Sequence, residues 1–383
     1  MMLLERGELR NLMEFRAKEG NKILTLYLNI DPLNPSNAKG GFKVVLQELL
    51  NKVGKQVKTT NEEEHFARER SLVERYVEHL IPKQKTLVAL LNTEDGLEVI
   101  EQLPVEIPSQ VYYRDYPVVR PILELLDRSE TYLLCSLDRE KARFSKIFLG
   151  TVTELKEITS EPPVKHRQTS GTDHMRSQMV LQRRAAAWSN RFLKLAAEEA
   201  WDLYQKYAID QLILSGTEEA LSEFRRILPR NLSEKIIGVV KLPTNAKSQD
   251  ILEACLPLIR EREKAAEEAL VTDLITSAQK GDKAVLGVNA TINAINEGRV
   301  YLLIYPMGYS IEGFRCNLCE VILDHIPQDG KCPYCQENCH NIENLIFEAS
   351  EKVFEIGGKV IAIKEPENIQ KLINSGILGA FLR

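Results

Sequence analysis

Gly313-Phe-Arg-Cys-Asn-Leu-Cys-Glu320 and Lys331-Cys-Pro-Tyr-Cys-Gln336 are the two most informative stretches of the chain. Each holds a C-x2-C pair, Cys316 with Cys319 and Cys332 with Cys335, and twelve residues separate the pairs. Two such knuckles bring four thiolates within tetrahedral reach of one Zn2+, at about 2.3 Å each. Asn317, Gly330 and Pro333 supply the turn chemistry that each knuckle needs. Four thiolates leave no open position for water, so the ion is expected to be structural rather than catalytic. Cys339 and His340 follow closely and could replace a ligand or lie outside the ligand shell. Two symmetric knuckles already close a tetrahedron, so neither is expected as a primary ligand.

On both sides of the knuckles the pattern is mixed α/β. Upstream, residues 289–298 read as a helix and 299–306 as a strand; downstream, 344–357 read as a helix and 358–365 as a strand. Together with the helix around 263–279 these form a third unit, 263–383. The middle unit, 129–262, offers three successive strands over 132–158, a polar loop from about 159 to 176, a long helix over 177–206, then strand, helix and strand again. That alternation predicts a partly parallel sheet with helices outside. In the first unit, 1–128, Leu24, Leu26 and Leu28 alternate with Thr25 and Tyr27, which predicts a half-buried strand. Helical periodicity covers 43–58 and 62–80, residues 86–91 read as a buried strand, and the proline-rich stretch 102–121 reads as extended.

Composition narrows the class. The 383 residues are too many for one ordinary domain, and 44% hydrophobic with 27% charged is ordinary for a globular chain. No run of eighteen apolar residues occurs and the N-terminus lacks a signal-peptide pattern, so the expected setting is cytoplasmic, with no membrane partner. Five of the seven cysteines lie within 316–339, which points to metal in a reducing compartment rather than to disulfides. The net charge of -5 draws the chain to no nucleic acid globally, and DNA is not an expected partner.

One local stretch departs from that balance. Lys165, Arg167, Arg176, Arg183, Arg184, Arg191 and Lys194 fall within thirty residues that hold Asp173 as their sole acid. At about 100° per residue, Leu181, Ala185, Trp188, Phe192, Leu195 and Ala196 share one arc, and Arg183, Arg184, Arg191 and Lys194 share another. The first arc is expected to pack on the domain and the second to meet RNA phosphates. His166, Asp173 and His174 in the preceding loop admit an acid–base reading, but a polar surface loop explains them equally. No nucleophile elbow, zinc-protease helix or phosphate loop occurs. The middle unit's acids, such as Asp138, Glu140, Glu198 and Glu199, show no two-metal spacing.

These three units in this order resemble the archaeal and eukaryotic class-I peptide release factor family, which includes Pelota, and most of all its bacterial branch, which contains ribosome hibernation factors. The likeness rests on residues 285–306 before the knuckles, on the knuckles, on the ending Ile373–Arg383, on the paired strands at 132–150, and on Ile23–Pro32. It implies a central RNase-H-like domain and a C-terminal α/β domain with a zinc ribbon at about 314–340. It also implies binding at or near the ribosomal A site, in contact with rRNA, with a translational GTPase such as elongation factor Tu as a further partner. Release factors carry Gly-Gly-Gln ahead of the long basic helix. Here that region, Ser170 to Gln178, holds none; His174, Ser177 and Gln178 mark the loop tip, and Ser177-Gln178 is the nearest remnant. The stop-codon motif Asn-Ile-Lys-Ser is also missing from the first unit. The expected function is therefore ribosome hibernation or rescue without peptide release, with no catalytic residue. The alternative is a peptidyl-tRNA hydrolase acting through the 166–178 loop.

Overall fold

The computed structural model describes residues 6–18, 21–55, 57, 59–138, 140–160, 174–326 and 330–383, and along 174–189 the course of the backbone alone. By its contacts the chain divides into two compact units: Met1–Arg128 with Lys264–Arg383, and Ser129–Glu263.

The first segment runs α1 (Arg6–Glu14), β1 (Ile23–Asn29), α2 (Gly41–Gly54), α3 (Thr60–Glu78), β2 (Thr86–Asn92), β3 (Leu97–Leu103), β4 (Gln110–Arg114) and α4 (Arg120–Arg128). Its sheet has the order β3-β2-β1-β4 and is antiparallel throughout. Leu24, Leu26 and Leu28 pack against Phe42, Leu46 and Leu50 of α2 and Val73 and Val77 of α3. Alternation predicts that the opposite face of β1 meets solvent; instead Ile23, Thr25 and Tyr27 are fully buried as well. The polar atoms on that face are satisfied locally. The Tyr27 hydroxyl donates to the Val118 carbonyl at 2.6 Å, and the Val118 N–H donates to Thr25 Oγ1 at 3.1 Å. The 102–121 stretch is extended only in part. It forms β4 and then enters α4 at Arg120, with Pro121 in the first turn, where a missing N–H costs nothing.

The second unit contains β5 (Tyr132–Leu137), β6 (Lys141–Phe148), β7 (Thr151–Thr159), α5 (His174–Lys206), β8 (Gln211–Gly216), α6 (Glu218–Ile227), the single turn α7 (Arg230–Ser233), β9 (Ile236–Val240) and the start of α8 (Ser248–Gln279). The sheet order is β7-β6-β5-β8-β9. The β5–β6 and β6–β7 pairs are antiparallel, whereas β5–β8 and β8–β9 are parallel, as the strand–helix alternation predicts. Helices cover both faces. Phe192, Ala196, Ala200 and Phe224 of α5 and α6 meet Leu133, Phe144 and Leu214 on one face. Ile251, Cys255 and Ile259 of α8 meet Leu134 and Ile213 on the other.

The third segment adds the rest of α8, then β10 (Ala284–Leu286), α9 (Val288–Asn296), β11 (Val300–Pro306), β12 (Gly313–Cys316), β13 (Ile322–Leu323), β14 (Cys339–Ile342), α10 (Leu345–Glu355), β15 (Lys359–Ile363), α11 (Pro366–Asn374) and β16 (Gly379–Leu382). One sheet has the order β10-β16-β11-β15 and the other, inserted between β11 and α10, the order β13-β12-β14. The glycines near the end of the chain permit close backbone approach. Gly376 has φ 123° and a Cβ there would lie 2.7 Å from the Gly287 Cα, so no other residue fits without movement.

First and third segments join through polar contacts. Arg114 donates to Glu348 at 3.0 Å, Arg120 to the Phe347 carbonyl at 3.0 Å, Arg128 to the Ala362 carbonyl at 3.1 Å, and the Tyr305 hydroxyl to Glu124 at 2.9 Å. The guanidinium of Arg120 also lies 4.2 Å from the Phe347 ring centroid, and that of Arg114 at 4.8 Å. Arg120 and Glu124 pair at 3.1 Å with both side chains nearly closed to solvent. Burial works against the Arg120 charge, but Glu124 and Tyr305 beside it more than restore it. Three cavities, of about 290, 420 and 230 Å³, lie along this join.

Candidate functional site

The knuckle sequences fold into two copies of one local structure. In the first, the Leu318 N–H donates to Cys316 Sγ at 3.4 Å and the Cys316 N–H to the Val321 carbonyl at 3.0 Å. In the second, the Gln336 N–H donates to the Cys332 carbonyl at 2.9 Å and the Cys332 N–H to the Glu337 carbonyl at 2.7 Å. The residue after each second cysteine, Glu320 at φ 57° and Gln336 at φ 63°, takes the left-handed conformation that ordinary residues resist. That repeated strain turns each chain away so that both pairs of thiols face inward.

The four sulfurs of Cys316, Cys319, Cys332 and Cys335 all lie within 4.8 Å of one another. Cys316 and Cys335 are 3.3 Å apart, and Cys319 and Cys332 are 3.6 Å apart. A tetrahedron of metal–sulfur bonds near 2.3 Å has edges of about 3.8 Å, so the donor set fits a thiophilic divalent ion with little adjustment. The electrostatics agree. Burial resists ionisation of Cys316, yet the N–H groups of Cys319 and Leu318 bring its thiol down to about 6. Burial, with the neighbouring thiols, pushes Cys319 up to about 12. One thiolate in the cluster thus discourages the next, and a cation at the centre removes that conflict. Among the described residues this is the one group of His, Cys, Asp and Glu side chains close enough to hold a metal ion.

Cys339 and His340 stand outside that group. Cys339 pairs with Cys316 across β12 and β14. His340 Nδ1 meets Asn317 Oδ1 at 2.6 Å, linking the first knuckle to β14. Arg315 ties the ribbon to α10, with Nη1 2.8 Å from Glu348 and Nη2 3.3 Å from Glu320. Leu318 and Tyr334, one in each knuckle, are 68% and 62% exposed, so the knuckle tips present apolar surface.

Only part of the basic loop and helix lies among the described residues. Lys165, His166, Arg167 and Asp173 lie outside the described residues, as do the side chains of His174, Arg176, Ser177, Gln178, Leu181, Arg183, Arg184, Ala185 and Trp188. The backbone of α5 begins at His174, so Ser177 and Gln178 stand in its first turns and not in a loop. Of the predicted apolar arc, Phe192 and Ala196 are buried, but Leu195 is 53% exposed. Leu193, Ala197, Ala200 and Leu203 are buried instead. At 100° per residue the packed arc is therefore turned by about 80° from the predicted one. Of the predicted basic arc, Arg191 and Lys194 are the two described members. Arg191 and Lys194 are exposed. Beyond Lys194 the surface changes sign: Glu198, Glu199 and Asp202 join Arg191 and Leu195 around a cavity of about 550 Å³, and Lys156 pairs with Glu199.

Sequence reasoning missed Arg114, Arg120, Glu124, Arg315 and Glu348. The i,i+4 spacing of Arg120 and Glu124 within α4 was the one available signal; Arg114 and Arg315 lie 234 and 33 residues from Glu348, and no spacing links those pairs.

Comparison with known proteins shows what the chain is similar to. Residues 117–260 match the profile described as Bacterial archaeo-eukaryotic release factor family 10. The chain is 23% identical over 346 residues to peptide chain release factor subunit 1 of Thermococcus onnurineus, covering 81% of this chain and 83% of that protein. Among solved structures, Archaeoglobus fulgidus Pelota aligns over 78% of each chain at 15% identity and a TM-score of 0.37. Archaeal Pelota, in a ribosome-bound assembly with ABCE1, aligns over 98% of this chain and 92% of its own at 12% identity and a TM-score of 0.43. The chain is therefore similar to archaeal peptide chain release factor subunit 1 over most of its length. Over 117–260 the similarity is to the bacterial family 10 of these factors.

Proposed function

We propose that the chain is a translation factor that binds the ribosome at or near the A site, in contact with rRNA, and does not release the nascent peptide. What supports this reading is the similarity to release factors together with the exposure of Arg191 and Lys194 on α5 and the lack of Gly-Gly-Gln in the sequence ahead of that helix. Arg191 and Lys194, with Arg176, Arg183, Arg184, Lys165 and Arg167, are the groups assigned to phosphate contact. Two adjacent glycines permit a backbone that Arg176 and Ser177, the residues ahead of Gln178, resist. A water that is not positioned forfeits roughly 7–11 kcal/mol of barrier lowering, which general-base help at about 10²–10⁴-fold does not recover. Such a factor occupies the site in hibernation or rescue, with a translational GTPase such as elongation factor Tu as the partner that delivers it.

On this reading the chain has three domains, 1–128, 129–262 and 263–383, the central one RNase-H-like. Cys316, Cys319, Cys332 and Cys335 hold one structural Zn2+, which supplies cross-linking of the ribbon rather than chemistry. Co-sedimentation with ribosomes tests the binding, and a release assay on ribosomes carrying a labelled peptide tests the inactivity. Binding without release is the expected result. Release by wild type that Gln178→Ala abolishes would establish the peptidyl-tRNA hydrolase instead, and no co-sedimentation at low salt would remove the ribosome altogether.

A further inference from the structure

The cluster can do chemistry besides holding an ion. Two short sulfur contacts, Cys316 with Cys335 at 3.3 Å and Cys319 with Cys332 at 3.6 Å, both run from one knuckle to the other. A disulfide bond is about 2.05 Å long, so closing either gap takes a movement of about 1.2–1.6 Å. Each contact joins a sulfur that solvent reaches to one that it does not. Cys319 is exposed and Cys335 half-buried, whereas Cys332 and Cys316 are buried. Held on a metal, all four sulfurs are thiolates, the form that oxidants meet. Exposure then decides which sulfur is oxidised first, and contact decides which one resolves the product. Cys339 lies outside the group of sulfurs within 4.8 Å of one another, and Cys135 and Cys255 are buried in Ser129–Glu263.

We propose that the four-cysteine site is a peroxide-responsive switch, in which Cys319 and Cys335 are oxidised, Cys332 and Cys316 resolve them, and the ion is released as two disulfides join the knuckles. This inference rests on the metal reading above and adds what the ligands do when oxidised. The Cys319 sulfur attacks one oxygen of hydrogen peroxide. The O–O bond breaks, and the departing hydroxide takes a proton to become water. The Cys332 thiolate then attacks the sulfur of the Cys319 sulfenic acid. The S–O bond breaks, a second hydroxide leaves and is protonated to water, and the S–S bond forms. One peroxide is thus reduced to two waters as two thiolates are oxidised. A second peroxide does the same at Cys335 and Cys316. The two links join positions 13 and 19 residues apart, across the gap that the ion spans. They keep the knuckles together once the ion has gone, which bonds inside each C-x2-C pair would not.

The test treats the zinc-loaded full chain with hydrogen peroxide. It reads Zn2+ captured by a chromogenic chelator, thiols counted in denaturant, and disulfide-linked peptides identified by mass spectrometry. One Zn2+ should be released as the seven thiols fall by four, leaving those of Cys135, Cys255 and Cys339. The links should be Cys319 with Cys332 and Cys316 with Cys335, and a dithiol reductant with fresh Zn2+ should restore the starting count. Cys339→Ser should give the same links and the same release, because that thiol takes no part. Three results overturn the switch and leave the metal site standing: links within a knuckle or to Cys339, sulfinic acid in place of disulfide, or Zn2+ retained at peroxide concentrations that oxidise free cysteine. A chain that holds no zinc before peroxide is added overturns the metal reading, and this inference with it.

Discussion

Glu320 and Gln336 show how much of the ribbon is settled by single backbone angles. Both hold positive φ in conformations that cost an ordinary residue about 1–2 kcal/mol. Gln336→Gly should therefore leave thermal stability unchanged or raise it, whereas Gln336→Val should lower it by more than 1 kcal/mol, read from Tm with metal present. Arg120 and Glu351 make the corresponding case in the polar join. Arg120→Ala leaves Glu124 buried without its cation, and about 3–5 kcal/mol of stability should be lost in a denaturant titration. Burial, with Glu348 adding to it, raises the Glu351 carboxyl above its ordinary 4.5, outweighing Arg120, Arg114 and the Tyr116 hydrogen bond. An acid raised in the folded state binds its proton more tightly there, so its contribution is favourable at low pH and is lost as pH rises through the folded value. Glu351→Gln removes that loss. Its Tm relative to wild type should climb from pH 4.5 upward, and a pH-independent difference would contradict the assignment.

Helix α5 buries one face in the core and, on the proposed reading, offers basic residues to RNA, so substitutions of the two kinds should have separable effects. Phe192→Ala should cost about 3–5 kcal/mol, because the ring is 4% exposed and fills the core beneath the sheet. Reversing Arg183, Arg184 and Arg191 to Glu should leave the fold intact but weaken ribosome binding. The slope of log K against log salt should become shallower, since a face that neutralises fewer phosphates displaces fewer counterions from the RNA. An unchanged slope in a co-sedimentation series would remove phosphate binding from this face. The acidic turn of Glu198, Glu199 and Asp202 limits the basic footprint to the part of the helix before it.

For the molecule as a whole, the join between first and third segments differs in kind from the cores on either side of it. The cores are aliphatic and closed, while the join is built from arginines, carboxylates and tyrosine hydroxyls with three cavities beside it. The ribbon connects to that join through Arg315 and Glu348, so metal loss should be felt beyond the ribbon. Treatment with a chelator strong enough to remove zinc should lower the Tm of the unit that contains it and leave Ser129–Glu263 unaffected, as hydrogen exchange of the two units would show.

The four-cysteine cluster, the strand–helix order of the central sheet and the helices flanking β11 were legible in the amino acids, because each is a local matter. A C-x2-C turn places its thiols within one knuckle, and periodicities of 2 and 3.6 report an element regardless of what packs on it. What local pattern does not carry is the identity of the neighbour. Thr25 and Tyr27 read as a solvent face because nothing near them announces Val118, which lies 93 and 91 residues away. The turn of the α5 buried arc followed from the shape of the sheet beneath it, not from the order of leucines and alanines along it. Cys339 reads as a spare cysteine after the second knuckle. Only the antiparallel register of β12 with β14 places it opposite Cys316, 23 residues back, because register is set by the packing of the whole ribbon and not by any residue within the strand.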